Sequence, residues 1–302
     1  MFLKKREKWG IFAILVGLFC MNVFAGAIVY DLSKPSLLKV VFFDVGQGDA
    51  VFIETPQHHQ ILIDGGPGPV ILRKLAKELP FYDRSLDLII LTHPEKDHIS
   101  GLIDVLESYK INKILWTGVV RNTDEWKAWN KLINKEGAEI KIARAGQVVI
   151  FGGKGPKALL NILYPFENLE GKYFKNSNET SVVAKLVLGK KSFLFTGDIG
   201  KPTERKLIEK DIDSDILKVA HHGSKNSSSK EFLENVSPEF AVIQVGENKY
   251  GHPHLETLTT LSQLGIKTLR TDKKGDIKIE CQIQNCKCQI KFEKNKLLAF
   301  EF

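Results

Sequence analysis

Four side chains able to bind a divalent metal fall within six residues at His93-Pro94-Glu95-Lys96-Asp97-His98, directly after the apolar run Leu86-Asp87-Leu88-Ile89-Ile90-Leu91. Imidazole nitrogens and carboxylate oxygens are the donors that borderline divalent ions accept. The apolar run reads as a buried strand, which fixes where its last residue sits. The spacing then lets His93 and Glu95 point one way while Asp97 and His98 point another, an arrangement suited to two adjacent ions. A solvated polar loop would use the same residue types, so the reading depends on what lies downstream. Asp198 follows a short apolar strand in Thr196-Gly197-Asp198, and His222 lies in His221-His222-Gly223-Ser224. His93, Glu95, Asp97, His98, Asp198 and His222 can together hold two ions. An aspartate such as Asp198 can bridge ions about 3.5–4 Å apart, the separation used by two-metal hydrolases.

These residues need a rigid frame. Hydrophobic periodicity predicts strands over 38–43, 50–54, 60–64, 86–91, 111–116, 139–143, 148–151 and 158–164, then over 182–188, 192–195, 215–220, 240–245, 266–270 and 277–280. Helices are predicted over 70–79, 99–109, 124–134, 202–209, 231–235 and from the Tyr250–His254 segment to 264; Trp126, Trp129, Leu132 and Ile133 share one face of the third. Strands crowded first and interspersed with helices later indicate an α/β protein of two sheets packed face to face with helices outside. Polar clusters recur at strand ends, after residues 43, 63, 91, 195, 220 and 245, so a site assembles from loops at one edge. Glycines on both sides of Gln47 let that loop approach another element. Asp64, ahead of two glycines, either supports the site or caps its own turn.

Six ordered blocks carry a resemblance: D-V-G-Q-G-D at Asp44–Asp49, I-D-G-G at Ile63–Gly66, L-T-H-P-E-K-D-H-I-S-G at Leu91–Gly101, T-G-D-I at Thr196–Ile199, L-K-V-A-H-H-G-S at Leu217–Ser224 and Y-G-H-P-H at Tyr250–His254. Over residues 38–280 the chain resembles the metallo-β-lactamase-fold superfamily, and within it the hydrolase domain of the ComEC competence proteins, which take up DNA in bacteria. The resemblance implies a four-layer αββα sandwich, two divalent ions and a metal-activated water as nucleophile. It further implies a phosphodiester substrate, DNA ahead of RNA, and a DNA-uptake channel as partner. It assigns His222, which precedes Gly223, to the metal, and leaves His221 beside it or on phosphate. Asp97 would hold one metal and orient the nucleophile, while His252 would hold the scissile phosphate or protonate the leaving group. His254 would do the same or cap the following helix; Ser224, with Gln47, Asp49 and Asp64, would support the centre or contact phosphate.

Two departures from the superfamily pattern matter. Glu95 stands at the second histidine of H-x-H-x-D-H, and no histidine lies between residues 99 and 220. ComEC-like sequences carry an acidic residue at the first place and an Asn/Ser segment at the second, matching Asn178 and Ser181. Fewer imidazoles make harder sites, favouring Mn²⁺ or Mg²⁺ with Zn²⁺ still compatible, and argue against the lactamase reaction. The competing functions are an exported phosphoesterase on small or cell-wall phosphodiesters, and a catalytically inert DNA-binding or uptake module.

Composition bounds the remainder. The 302 residues, 43% hydrophobic, allow one large core or two modest domains. Of the net charge of +7, Lys4, Lys5, Arg6 and Lys8 against Glu7 supply nearly half, leaving a mild basic bias that permits a polyanionic substrate. The apolar stretch Trp9–Tyr30 is long enough to span a bilayer, and its basic flank places the N-terminus in the cytoplasm. Residues 1–30 thus read as a signal anchor with an extracytoplasmic body, or as a signal peptide if cleaved near Ala25-Gly26-Ala27, which would secrete the body. Apolar residues continuing through Ile28, Val29 and Tyr30 favour the anchor. A linker is expected at 31–37, then a hydrolase domain at 38–302 whose residues 281–302 form a hairpin extension. Cys281, Cys286 and Cys288 lack the paired knuckles of a zinc ribbon. A bridge near the turn of a hairpin, Ile277–Glu280 with Gln289–Phe292, suits an exported protein.

Overall fold

The computed structural model describes residues 5–32, 37–153, 155–282, 287–293 and 298–299, in two compact units, Met1–Ser36 and Leu37–Phe302. The first unit is one helix, α1 (Lys5–Leu32). Its Trp9–Tyr30 stretch has mean hydropathy 2.4, so it is long and apolar enough to cross a membrane. Asp31 and Leu32 continue this helix; of the expected linker, 33–36 lie outside the described residues.

The second unit opens with β1 (Leu37–Phe42), β2 (Val51–Glu54), β3 (Gln60–Ile63), α2 (Val70–Glu78), β4 (Ser85–Leu91), α3 (Lys96–Ser108), β5 (Lys110–Trp116), α4 (Asp124–Glu136) and β6 (Glu139–Ile142). It continues through β7 (Val148–Phe151), β8 (Ala158–Tyr164), β9 (Val183–Leu188), β10 (Lys191–Phe195), α5 (Lys201–Leu207), β11 (Ile216–Lys218), α6 (Lys230–Val236), β12 (Phe240–Ile243), α7 (Leu255–Gln263) and β13 (Lys267–Arg270). It closes with α8 (Thr271–Lys274), β14 (Ile277–Gln282), β15 (Cys288–Phe292) and β16 (Leu298–Ala299).

Two sheets result. One runs β16-β15-β14-β1-β2-β3-β4-β5-β6 and the other β13-β12-β11-β10-β9-β8-β7. Side chains alternate between strand faces, so Val40 and Phe42 enter the layer between the sheets with Phe193, Phe195 and Val242. Val41 and Phe43 face the other way, toward Leu75, Leu102 and Trp129 of α2, α3 and α4. Beyond the second sheet, Leu194 and Leu217 pack with Leu207, Phe232 and Leu261 of α5, α6 and α7. The layers are therefore helix, sheet, sheet, helix. Covered on both faces, β4 needs a nearly unbroken apolar run rather than an alternating one.

Three details refine the sequence reading. The C-terminal hairpin is integral to the first sheet: β14 pairs antiparallel with β1, Leu38 opposite Cys281, and the Cys281–Cys288 disulfide ties it to β15. Cys286 lies outside the described residues. The short α8 occupies a stretch to which the sequence pattern assigns no element, and α3 starts at Lys96, so Asp97 and His98 fall in its first turn.

Candidate metal centre

β3 and β4 lie side by side and in parallel, Ile63 opposite Ile90, so their C-terminal ends bring Asp64 next to Thr92. Asp64 turns there at φ 58°, a left-handed conformation that aspartate tolerates better than most residues. Its Oδ1 accepts from the Thr92 amide at 2.8 Å and its Oδ2 from the Thr92 hydroxyl at 2.7 Å. The same Oδ2 accepts from His98 Nδ1 at 2.8 Å. A carboxylate on one ring nitrogen fixes the tautomer and aims the other, the support that metal-binding histidines use. His98 Nε2 consequently faces Asp198 Oδ2 at 3.4 Å.

Close backbone approach holds this corner. Gly65 and Gly101 touch, such that a Cβ on Gly101 would lie 1.9 Å from the Gly65 carbonyl oxygen. The Gly65 amide donates to His98 O and the Gly101 amide to Gly66 O, both at 2.9 Å. Only hydrogen at both Cα positions lets α3 sit so near the strand ends.

β11 delivers the opposite wall. After Lys218 the chain enters a 3-10 turn, Ala220–Gly223, in which His221 and His222 take consecutive left-handed conformations at φ 51° and 53°. Such backbone costs about 1–3 kcal/mol per residue and persists only where the surroundings enforce it. His222 Nδ1 donates to the Gln244 carbonyl at 2.9 Å. Its Nε2 then faces Asp97 Oδ2 at 3.3 Å and Asp198 Oδ2 at 3.5 Å. His93 Nδ1 lies 3.0 Å from the Thr92 hydroxyl.

Ligand atoms of His93, His98 and Asp198, of Asp97, His98 and His222, and of Asp49, Asp198 and His222 each lie within 4.8 Å of one another. His93 Nε2, His98 Nε2 and Asp198 Oδ1 are buried without a hydrogen-bond partner. Unpaired buried polar atoms that converge in this way fit divalent cations.

Electrostatics agree. Burial works against charge on His98, but Asp198, Asp64 and Asp97 outweigh it and raise its pKa well above the usual imidazole range. His222 likewise rises to about 10, burial opposing and Asp198 and Asp49 prevailing. Burial and the neighbouring His98 charge drive His93 down to about 3. In the metal-free protein, protons gather where the carboxylates attract cations, so metal and proton compete for one place.

Of the expected ligands, Glu95 is placed differently. It lines the same cleft, yet its Oε1 is ion-paired to Arg121 Nη2 at 2.9 Å and accepts from Ser177 Oγ. It is absent from the convergent groups among the described residues. Ser181 Oγ accepts from the Asp198 amide at 3.0 Å, and Asn178 Nδ2 lies 3.3 Å from His221 Nε2. Asp49 is buried beneath the centre, 3.3 Å from His222 Nδ1, while Gln47 sits at the rim with Gly246 donating to it at 3.4 Å. His221 and His252 face each other across 5.4 Å on the cleft wall. Ser224 is buried in its own turn, where its Oγ accepts from the Asn226 amide at 3.3 Å. His254 stands outside the cleft lining, its amide bonded to Gly223 O at 2.8 Å, and its side chain does not cap α7.

Sequence reasoning missed several supports. Lys218, 2% exposed, contacts Asp49, donates to Gly197 O at 2.9 Å and lies 3.5 Å from Asp198. Gln244, also buried, binds Phe43 O and Ala50 O at 3.0 and 2.8 Å. A polar residue inside an apolar strand was the available signal for both; Arg121 and Ser177 carry none.

The open cleft over this centre is about 780 Å³. Residues 43–247, which include the convergent candidate ligands, match the family model described as metallo-beta-lactamase superfamily. ComE operon protein 3 of Bacillus subtilis is 29% identical over 294 residues, 90% of this chain and 36% of that protein. Competence protein ComA of Neisseria gonorrhoeae is 31% identical over 243 residues, 78% of this chain and 31% of that protein. The chain thus spans about a third of the length of these relatives. Igni18, a metallo hydrolase of Ignicoccus hospitalis, shares the fold at TM-score 0.53 and 16% identity, over 82% of this chain and 100% of that one. With the four layers, the ligand-bearing loops at one sheet edge and a family match covering most of the chain, this protein belongs to the metallo-β-lactamase superfamily.

Proposed function

We propose that the chain is a metal-dependent phosphodiesterase that cuts nucleic acid, DNA ahead of RNA, on the outer side of the cytoplasmic membrane. The observation that carries this reading is the convergence of three imidazoles and two carboxylates: Asp97, Asp198 and His222 line an open cleft, and His93 and His98 lie buried beneath it. Three nitrogens with two oxygens suit Mn²⁺ ahead of Mg²⁺ and leave Zn²⁺ compatible. When bound, such ions supply Lewis acidity toward a phosphoryl oxygen and lower the pKa of water toward 7.

The chain's own residues do the rest. Asp97, with its side chain 34% exposed, is the carboxylate of the set that reaches open solvent and can accept a hydrogen bond from the attacking water. Asp64 and the Gln244 carbonyl hold the His98 and His222 rings in fixed orientations, so the floor is formed in advance. Burial, with His221 and His222 nearby, pushes His252 down to about 4. It is therefore neutral at pH 7, and from the cleft wall its ring N–H can donate a hydrogen bond to the scissile phosphate or the leaving oxygen. The basic flank of Trp9–Tyr30 supports an extracytoplasmic body, and the two competence-protein relatives support a DNA-uptake channel as partner.

A second reading draws on Glu95. Its pairing with Arg121 withdraws one ligand, which favours a single ion and an inert DNA-binding module. The test uses the full chain in non-ionic detergent, stripped of metal and then reconstituted with Mn²⁺. Labelled DNA, RNA and bis(p-nitrophenyl) phosphate are offered while bound metal is counted. Metal-dependent cutting of DNA is expected. Cleavage of the small diester alone would remove the nuclease assignment. No cleavage, with fewer than about one ion bound per chain and DNA binding intact, would favour the inert module.

A further inference from the structure

A second cleft, about 650 Å³, lies along the segment 164–174 that leads out of β8. Its walls are unusual for a surface hollow: Tyr164, Phe166, Tyr173 and Phe174 alternate with Lys172 and Lys206. Tyr164 and Phe166 meet edge to face at 5.3 Å. The Lys210 ammonium sits 5.5 Å from the centre of the Phe166 ring, and the Arg121 guanidinium 6.0 Å from that of Tyr173. Tyr173 is 67% exposed, so burial does not explain its ring.

The segment is held in place by backbone bonds. The Val120 amide donates to Lys172 O at 2.9 Å and the Gly171 amide to Gly118 O at 3.0 Å; Val120 and Tyr173 form a parallel bridge. The Tyr164 hydroxyl donates to Glu179 O at 3.0 Å. A ligand would find the cleft already formed, which lowers the ordering cost of binding.

Charge points to an anion. Among the lining residues the one carboxylate is Glu167, and it is paired with Lys172 at 3.5 Å. Lys206 and Lys210 have no carboxylate partner among the described residues. One side chain links this segment to the metal cleft: Arg121 Nη1 donates to the Phe174 carbonyl at 2.9 Å, while its Nη2 pairs with Glu95, which lines that cleft. Asn178, four residues beyond Phe174, lines the metal cleft.

We infer that this second cleft binds a single strand of nucleic acid, with a base stacked on the exposed ring of Tyr173 and phosphates facing Lys206 and Lys210, and leads it toward the metal centre. An exposed aromatic ring such as that of Tyr173 accepts any base, and cations track the backbone, the combination that single-strand binding surfaces use. A duplex keeps its bases stacked on one another and cannot offer their faces to that ring. That the strand is afterwards cut rests on the phosphodiesterase reading; the binding does not.

The experiment is fluorescence anisotropy of a fluorescein-labelled oligothymidylate with the full chain in non-ionic detergent and EDTA. Tyr173→Ala is expected to weaken binding roughly 5- to 150-fold, the equivalent of about 1–3 kcal/mol per stacked base, and Tyr173→Phe to restore it. Lys206→Glu should weaken binding and flatten its salt dependence. Polyphosphate, which has no bases, should compete poorly and bind the Tyr173→Ala variant as it binds the wild type. Thermal melts of each variant exclude misfolding. Affinity within about twofold of wild type for both Tyr173→Ala and Lys206→Glu would overturn the inference, as would polyphosphate binding that falls in parallel with oligothymidylate binding. Tyr173-dependent binding without Mn²⁺-dependent cutting removes the nuclease reading and keeps this one. Cutting of DNA with oligothymidylate affinity indifferent to both variants does the reverse.

Discussion

Lys218→Met tests whether the centre is assembled on a buried cation. The ammonium contacts Asp49, donates to the Gly197 carbonyl at 2.9 Å and stands 3.5 Å from Asp198, with the three side chains 2–3% exposed. Burial disfavours the charge, yet Asp49 and Asp198 outweigh it and raise the Lys218 pKa, so it is charged throughout the working range. Methionine fills a similar volume and removes the charge, leaving Asp49 without its main cation. Breaking a buried pair from one side costs about 3–5 kcal/mol. At roughly 2–4 °C per kcal/mol for a domain of this size, the metal-free melting midpoint should fall by about 6–20 °C.

Two signatures separate this from ordinary packing loss. Without the ammonium, burial weighs more heavily on Asp49 and its folded-state pKa rises relative to the wild type, so the folded variant takes up a proton at higher pH than the folded wild type does. The stability deficit of the variant relative to the wild type should therefore narrow as pH falls from neutral toward the unfolded carboxylate value of about 3.9. Mn²⁺ should also raise the midpoint more in the variant than in the wild type, because added positive charge relieves Asp49 and Asp198. Paired thermal melts across pH, with and without Mn²⁺, make the measurement. A loss under about 1 kcal/mol, or an equal loss at every pH, would refute the argument that Lys218 neutralises the floor of the centre.

Asp64→Asn keeps a residue that accepts the left-handed backbone but removes the carboxylate beside His98 Nδ1. Calorimetric titration with Mn²⁺ should show affinity reduced about 10- to 100-fold. Gly101→Ala would press a Cβ to 1.9 Å from the Gly65 carbonyl oxygen, which costs about 1–3 kcal/mol or more. Denaturant unfolding should register that loss, and the shift of α3 should weaken metal binding at His98. Glu293 is held down from 4.5 to about 2 by hydrogen bonds from Lys77 and Lys74. This stability is complete above the unfolded value and disappears as pH falls from 4.5 toward 2. Glu293→Gln should flatten that part of the pH–stability curve, and salt should shrink the difference because the side chain is 37% exposed.

The elements were legible in the sequence wherever burial imposes a pattern. β4 is covered on both faces and reads as an apolar run; α4 has one buried face and reads through Trp129 and Ile133. The strand-end position of His93, Asp97, His98, Asp198 and His222 followed from the same rule, since a polar residue after an apolar strand must leave the core. Local pattern stops there. Whether Asp64 caps its own turn or orients His98 depends on β3 lying parallel to β4, a long-range pairing. That the C-terminal hairpin belongs to the first sheet depends on β14 finding β1 across more than two hundred residues of chain. Glu95 shows the division most clearly. Its spacing makes it equivalent to its neighbours, but Arg121 and Ser177 arrive from loops far along the chain and take its carboxylate. Spacing in sequence determines which side chains leave a strand together; only the fold determines which charges they meet when they arrive.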